Sequence, residues 1–99
     1  MPTHHELAAF LRDYRALSQE QRERFLDCMP DFRADVASGR FRPAFRVRLV
    51  HTARGTGEVW EMTFAPDGRA TFHYGAELIP GQPHIIWRRI GTHDIFRNP

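Results

Sequence analysis

The residues of this chain best suited to chemistry lie in its C-terminal two-thirds. His93 stands just beyond the run His84-Ile85-Ile86-Trp87-Arg88-Arg89-Ile90, separated from it by Gly91 and Thr92. The β-compatible apolar side chains make that run a strand, and Gly91 lets the backbone turn sharply at its end. A histidine, with an ordinary pKa of ~6.5, is thereby delivered at a strand exit, fit for general acid or base work. Upstream, period-two alternation gathers Arg46, Arg48, Glu61, Thr63, Arg69, Thr71 and His73 on one polar face. Imidazole, carboxylate and guanidinium on one face can move protons and hold phosphate. Each also has a plainer reading: Arg69 as a cross-strand ion-pair partner of Glu61, His73 as a surface residue, His93 as the close of the last strand.

The charge distribution sharpens the choice of ligand. All fourteen basic residues are arginine. Residues 1–38 carry five Arg against seven acids, whereas residues 39–99 carry nine Arg against five. Guanidinium forks match phosphate bidentately and stack on bases, so an arginine-rich half fits nucleic acid. It fits a solvated sheet surface equally well.

The elements that must position these residues are legible from period and punctuation. Ninety-nine residues with 41% hydrophobic content is expected to form a single domain over 1–99. Thr3-His4-His5-Glu6 reads as a capping box opening a first helix, with His4 and His5 adjacent on it and not converging on one ligand. Leu7, Phe10, Leu11, Tyr14 and Leu17 follow the helical period. Ser18-Gln19-Glu20-Gln21 opens a second helix with the stripe Phe25, Met29, Phe32 and Val36, ended by Gly39. Pro30 inside that stripe is expected to kink or split it. After Gly39 the period changes to two. Phe45, Val47 and Leu49 alternate with arginines, Val59–Phe64 and Arg69–Tyr74 are further strands, and Ala65-Pro66-Asp67-Gly68 is a turn between them. The expected fold class is α+β: an N-terminal αα-hairpin (about 4–38) on one face of a four-stranded antiparallel sheet (about 44–90), then a His-bearing tail, 91–99.

Several classes are set aside. The single cysteine, Cys28, permits no internal disulfide and reads as a small core hydrophobe. No ligand-like Cys or His spacing, glycine-rich phosphate loop or nucleophile elbow is present, so no metal and no cofactor is expected. The polar start and the lack of a long apolar run lead to the expectation of a cytoplasmic protein with no membrane partner.

Two helices, an antiparallel sheet and a short His-bearing tail, in that order, resemble the RelE/ParE superfamily of bacterial toxins. The resemblance is carried by Gly57-Glu58-Val59-Trp60-Glu61-Met62-Thr63-Phe64, by Gly68-Arg69-Ala70-Thr71-Phe72 and by Ile90-Gly91-Thr92-His93-Asp94, and covers about 6–97. It implies the toxin of a toxin–antitoxin pair, acting as a ribosome-dependent, metal-independent endoribonuclease on mRNA, with a cognate antitoxin as partner. It makes His93 a general acid or base and Arg69 the residue that stabilises the phosphorane, with His73 or Glu61 as second proton carrier. It makes Arg46, Arg48, Arg88 and Phe96 the RNA-binding set, Phe96 stacking a base. Arg46→Ala and Arg48→Ala are expected to weaken RNA binding without unfolding the chain. The family usually opens with a strand ahead of its first helix, for which the helical reading from Thr3 leaves no room. Phe96 stands three residues after His93, where many members place the aromatic four after. The same superfamily includes poisons of DNA gyrase, which need no nucleolytic residues, and the fold could equally serve a binding module without catalysis.

Overall fold

The computed structural model describes residues 1–53, 57–92 and 95. His93 and Phe96 lie outside the described residues. The chain runs β1 (Thr3–Glu6), α1 (Ala8–Ala16), α2 (Gln19–Ser38), a 3-10 turn (Pro43–Phe45), β2 (Arg48–Ala53), β3 (Gly57–Ala65), β4 (Gly68–Gly75) and β5 (His84–Gly91). Among the described residues no helix is long and apolar enough to cross a membrane.

The sheet is five-stranded and mixed, in the order β1-β5-β4-β3-β2, which corrects the expected four-stranded antiparallel sheet. The additional strand is the segment read as a helix start. Thr3–Glu6 pairs in parallel with His84–Trp87. Backbone bonds from Thr3 N–H to Pro83 C=O and from Leu7 N–H to Trp87 C=O, both 2.9 Å, fix its two ends. Four residues have little preference of their own, and the unpaired edge of β5 decides their conformation. Helix α1 therefore starts at Ala8, and Leu7 gives it no side-chain cap.

Helix α2 follows its sequence signals closely. Ser18 accepts from Gln21 N–H and Gln21 Oε1 accepts from Ser18 N–H, each at 3.2 Å. Gly39 closes the helix in the left-handed region, φ 75°, where glycine bears no Cβ penalty. The helix is not split by Pro30. Pro30 is on the exposed side, while Phe25, Met29, Phe32 and Val36 stay buried against the sheet. The core is aromatic: Phe25 and Phe32 each place their ring centroids 5.2 Å from Trp87, and Phe32 lies 5.4 Å from Phe72, edge-on. Cys28 packs partly buried beside this core, its thiol pKa pushed up by burial and by Asp27 and Asp31.

The first expected strand starts late. Arg42 folds back on the end of α2, its Nε and Nη2 donating to Asp35 Oδ2 and Oδ1 at 2.9 Å each. That bidentate clamp turns the chain through Pro43–Phe45, buries Phe45 against Phe32, and leaves Arg46 exposed with φ 46°. Arg46 is thus outside the sheet, and alternation begins only at Arg48.

Strand β5 carries a bulge that its sequence hides. Thr71 pairs with Arg89 and Phe72 with Trp87, so Arg88 has no opposite residue. The extra residue lets Ile85, Trp87 and Ile90 all enter the core despite their uneven spacing. It also separates two neighbouring arginines. Arg89 reaches Asp13 of α1, with Nη2 3.2 Å from Oδ1, while Arg88 reaches His73.

Candidate functional site

The face of the sheet opposite the helices is where the polar positions converge. The register aligns Arg48, Glu61 and Thr71 in one row across β2, β3 and β4, while Arg89, the Cα partner of Thr71 on β5, sends its side chain to Asp13 of α1 instead. A second row runs His73, Ile86 and His5 across β4, β5 and β1. Arg69, Thr71 and His73 stand two residues apart on β4, roughly 6.6 Å per step.

This face is less open than its alternation implies. Glu61 is 3% exposed, while Thr71 and Val59 are fully buried. Val59 and Ile95, both buried, lie outside the main core cluster. Ile95 sits over Gly91, where a Cβ would meet its side chain at 3.1 Å. A polar-looking stripe thus encloses a small second core.

Within it, Glu61 Oε1 accepts from the Nε of Arg48, and Oε2 is buried with no hydrogen-bond partner. The expected cross-strand partner, Arg69, instead stands opposite Thr63. Its Nη1 curls back to the carbonyls of Ala65, Pro66 and Gly68 at 3.0–3.3 Å. Nε and Nη2 are left without a partner among the described residues. Arg69 also borders a groove of about 430 Å³ with Arg24 and Arg46. Arg46 therefore stands with Arg24, away from Arg48.

His73 is fixed by Arg88, whose Nη1 lies 3.3 Å from its Nδ1. A guanidinium only donates, so in neutral His73 the ring proton sits on Nε2. Burial, then Arg88, then His5 hold the His73 pKa below the ordinary value. His73 thus offers the face a fixed N–H donor. Burial lowers the Arg88 pKa as well.

The structure also joins residues that spacing kept apart. Thr3 Oγ1 lies 2.7 Å from His84 Nδ1, and His84 Nε2 lies 2.8 Å from His5 Nδ1. His84 is 3% exposed, and burial, then His5, then His4 lower its pKa. The expectation that His4 and His5 share a helix is overturned: they alternate on a strand, His4 meeting Glu6 at 3.6 Å and His5 meeting His84. The four polar residues Thr3–Glu6 carry no alternation that would mark a strand, and the strand they join lies about eighty positions away.

Two helices on one side of a five-stranded mixed sheet is a fold this chain shares with solved toxin structures. YafQ from E. coli superposes with a TM-score of 0.61 over 95% of this chain and 96% of that one, at 8% identity. The YoeB/ParE toxin from Agrobacterium tumefaciens gives 0.61 over 92% and 98%, at 10% identity. The DinJ–YafQ toxin–antitoxin complex of E. coli gives 0.57 over 94% and 93%, at 9% identity. At such identities the likeness is one of fold. No protein-family model and no curated protein matches the chain.

Proposed function

We infer that this chain is the toxin of a toxin–antitoxin pair and a ribosome-dependent, metal-independent endoribonuclease acting on mRNA. The observation that carries the reading is the composition of the polar sheet face. Arg48 presents a guanidinium that is 65% exposed yet anchored on buried Glu61. His73 is oriented by Arg88 to offer an N–H, and Arg69 keeps Nε and Nη2 for a ligand. Such a face is complementary to a phosphodiester whose charge grows in the transition state. His93 carries the proton for the leaving 5′-oxygen, Arg69 and Arg48 stabilise the phosphorane, and Arg88, Arg46 and Phe96 hold flanking RNA. The fold shared with YafQ, whose complex with DinJ is a toxin–antitoxin complex, supports an antitoxin partner. An acidic antitoxin segment on this face would associate rapidly and in a salt-sensitive way.

The test is single-turnover cleavage of mRNA on purified ribosomes. His93→Gln should lose roughly 10²–10⁴ in rate, as expected when positioned proton transfer is removed. Arg69→Ala should lose a comparable factor, with ribosome association retained. Wild-type cleavage by folded His93→Gln protein removes His93 from the mechanism. Absence of cleavage by the wild type on any codon, together with growth arrest on expression, moves the reading to a gyrase poison. Absence of both moves it to a non-catalytic module.

A further inference from the structure

Three arginines meet in a groove where α2 crosses the end of the sheet. Arg24 and Cys28 stand four residues apart and so take the same side of α2. Cys28 Sγ lies 3.8 Å from the Phe64 carbonyl oxygen, which sets that side over β3. The 3-10 turn brings in Arg46 beside buried Phe45, and Arg69 comes from the start of β4. All three arginines line one groove of about 430 Å³. Arg69 links this groove to the polar face. It stands opposite Thr63, on the polar side of the sheet, yet its Nη1 curls over the β3–β4 turn to the carbonyls of Ala65 and Pro66.

The groove has charge without a counter-charge. None of its described lining residues is an acid. Arg24 meets Glu20 at 3.5 Å, but the two side chains are 51% and 77% exposed, and an exposed i,i+4 pair holds Arg24 weakly. Arg46 is exposed as well and is held at φ 46°, where an L side chain is strained and glycine is not. Guanidiniums gathered without carboxylates suit an anion, and their planar forks match phosphate oxygens bidentately. The rings that line the groove, Phe45 and Phe64, are each 6% exposed. They give no face on which a base could stack, so the site reads backbone charge and not sequence.

We propose that Arg24, Arg46 and Arg69 form a phosphate-binding groove that takes the backbone of single-stranded RNA where it leaves the polar face. The proposal rests on the endoribonuclease reading for its choice of anion, and Arg24 is a contact which that reading does not contain. It requires no proton transfer and no cleavage. Arg69 stands at the junction, so a strand bound along the sheet enters the groove past its guanidinium. A volume of about 430 Å³ falls among sites for single small ligands, ~300–1,000 Å³, which suits a nucleotide and not a folded partner. An extended acidic peptide would offer carboxylates to the same forks and is the competing occupant. Thr63 and Arg69 favour RNA, because they belong to both the groove and the polar face, and a nucleic-acid backbone carries its charge continuously from one to the other.

The experiment is the salt dependence of binding, by fluorescence anisotropy, to a labelled single-stranded oligoribonucleotide whose 2′-hydroxyls are methylated so that it cannot be cleaved. Removing one phosphate contact should lower the slope of log K against log salt by about 0.7. Arg24→Ala and Arg46→Gly should each show that loss, equally on oligonucleotides of different sequence. Arg24→Lys keeps the charge and should keep the slope. Arg12→Ala, an exposed change on α1 outside the groove, should bind like wild type. Thermal melts are the folding control, with Arg46→Gly expected at or above wild type. A wild-type slope for folded Arg24→Ala protein overturns the proposal and leaves the endoribonuclease reading standing. So does an equal loss for Arg12→Ala, which makes the slope a matter of net charge. Arg24-dependent binding of poly-glutamate in place of RNA gives the groove to an acidic peptide and overturns the assignment of RNA. A wild type that cleaves nothing on ribosomes yet shows the Arg24-dependent slope removes the endoribonuclease reading and keeps the groove.

Discussion

Arg48→Ala puts the physics of the sheet face to a quantitative test. The alternating pattern predicts a harmless change, because every second residue of a half-exposed strand is expected to face water. The structure predicts a destabilising one. Arg48 is the partner of Glu61 Oε1, Glu61 is 3% exposed, and its other oxygen has no hydrogen-bond partner. Removing one member of a fully buried pair costs about 3–5 kcal/mol, because a desolvated charge is left behind. The Arg48 side chain is 65% exposed, so solvent screens the pair from one side and about 2 kcal/mol is the reasonable share. In a domain of this size 1 kcal/mol moves Tm by about 4–8 °C, so the melt should fall by about 8–16 °C. The double variant Arg48→Ala/Glu61→Gln should recover part of the loss, since the stranded charge is gone, giving a coupling of about 1 kcal/mol. The assay is thermal denaturation by circular dichroism at neutral pH. An Arg48→Ala protein melting within about 2 °C of wild type refutes the reasoning and makes Arg48 a ligand-facing residue alone.

Other perturbations follow from the same contacts. Asp13→Asn weakens the tie between α1 and Arg89 on β5, in which Asp13 also accepts from Ile90 N–H at 3.3 Å. It should cost about 1–3 kcal/mol, read as a shift in urea midpoint with unchanged slope; an unshifted midpoint removes the clamp from the account. Arg46→Gly relieves the left-handed backbone at φ 46° and should be neutral to about 1 kcal/mol stabilising, whereas a clear loss on melting would show that the Arg46 side chain is structural. The Arg42 hydrogen bonds hold the Asp35 carboxyl below the usual carboxylate range. Its contribution to stability is therefore present above the unfolded value of ~3.9 and fades as pH falls toward the folded one. Melting temperature plotted from pH 5 to 2 should fall less steeply for Asp35→Asn than for wild type, and parallel curves would contradict this.

Local signals determined much of this protein before any tertiary contact is considered. Helix α2 could be read from Ser18–Gln21 at its start, Gly39 at its end and the 3.6-residue stripe between them, because capping and amphipathicity act within one turn of chain. The β3–β4 hairpin was equally legible, because Pro66, Asp67 and Gly68 specify a turn and the flanking residues alternate. The polar positions of the candidate site followed from that same alternation. The tertiary structure decided what depends on partners distant in sequence. Thr3–Glu6 has too few residues to favour helix or strand, and the open edge of β5, some eighty positions away, made it a strand and joined His5 to His84. The bulge at Arg88 is set by pairing with β4 and sends two adjacent arginines to different partners. Arg46 left the sheet because Arg42 is clamped to Asp35. Glu61, which alternation places on the wet side of β3, is a buried acid paired with Arg48. Alternation shows which side of a strand a residue takes, while burial depends on what the rest of the chain packs against that side.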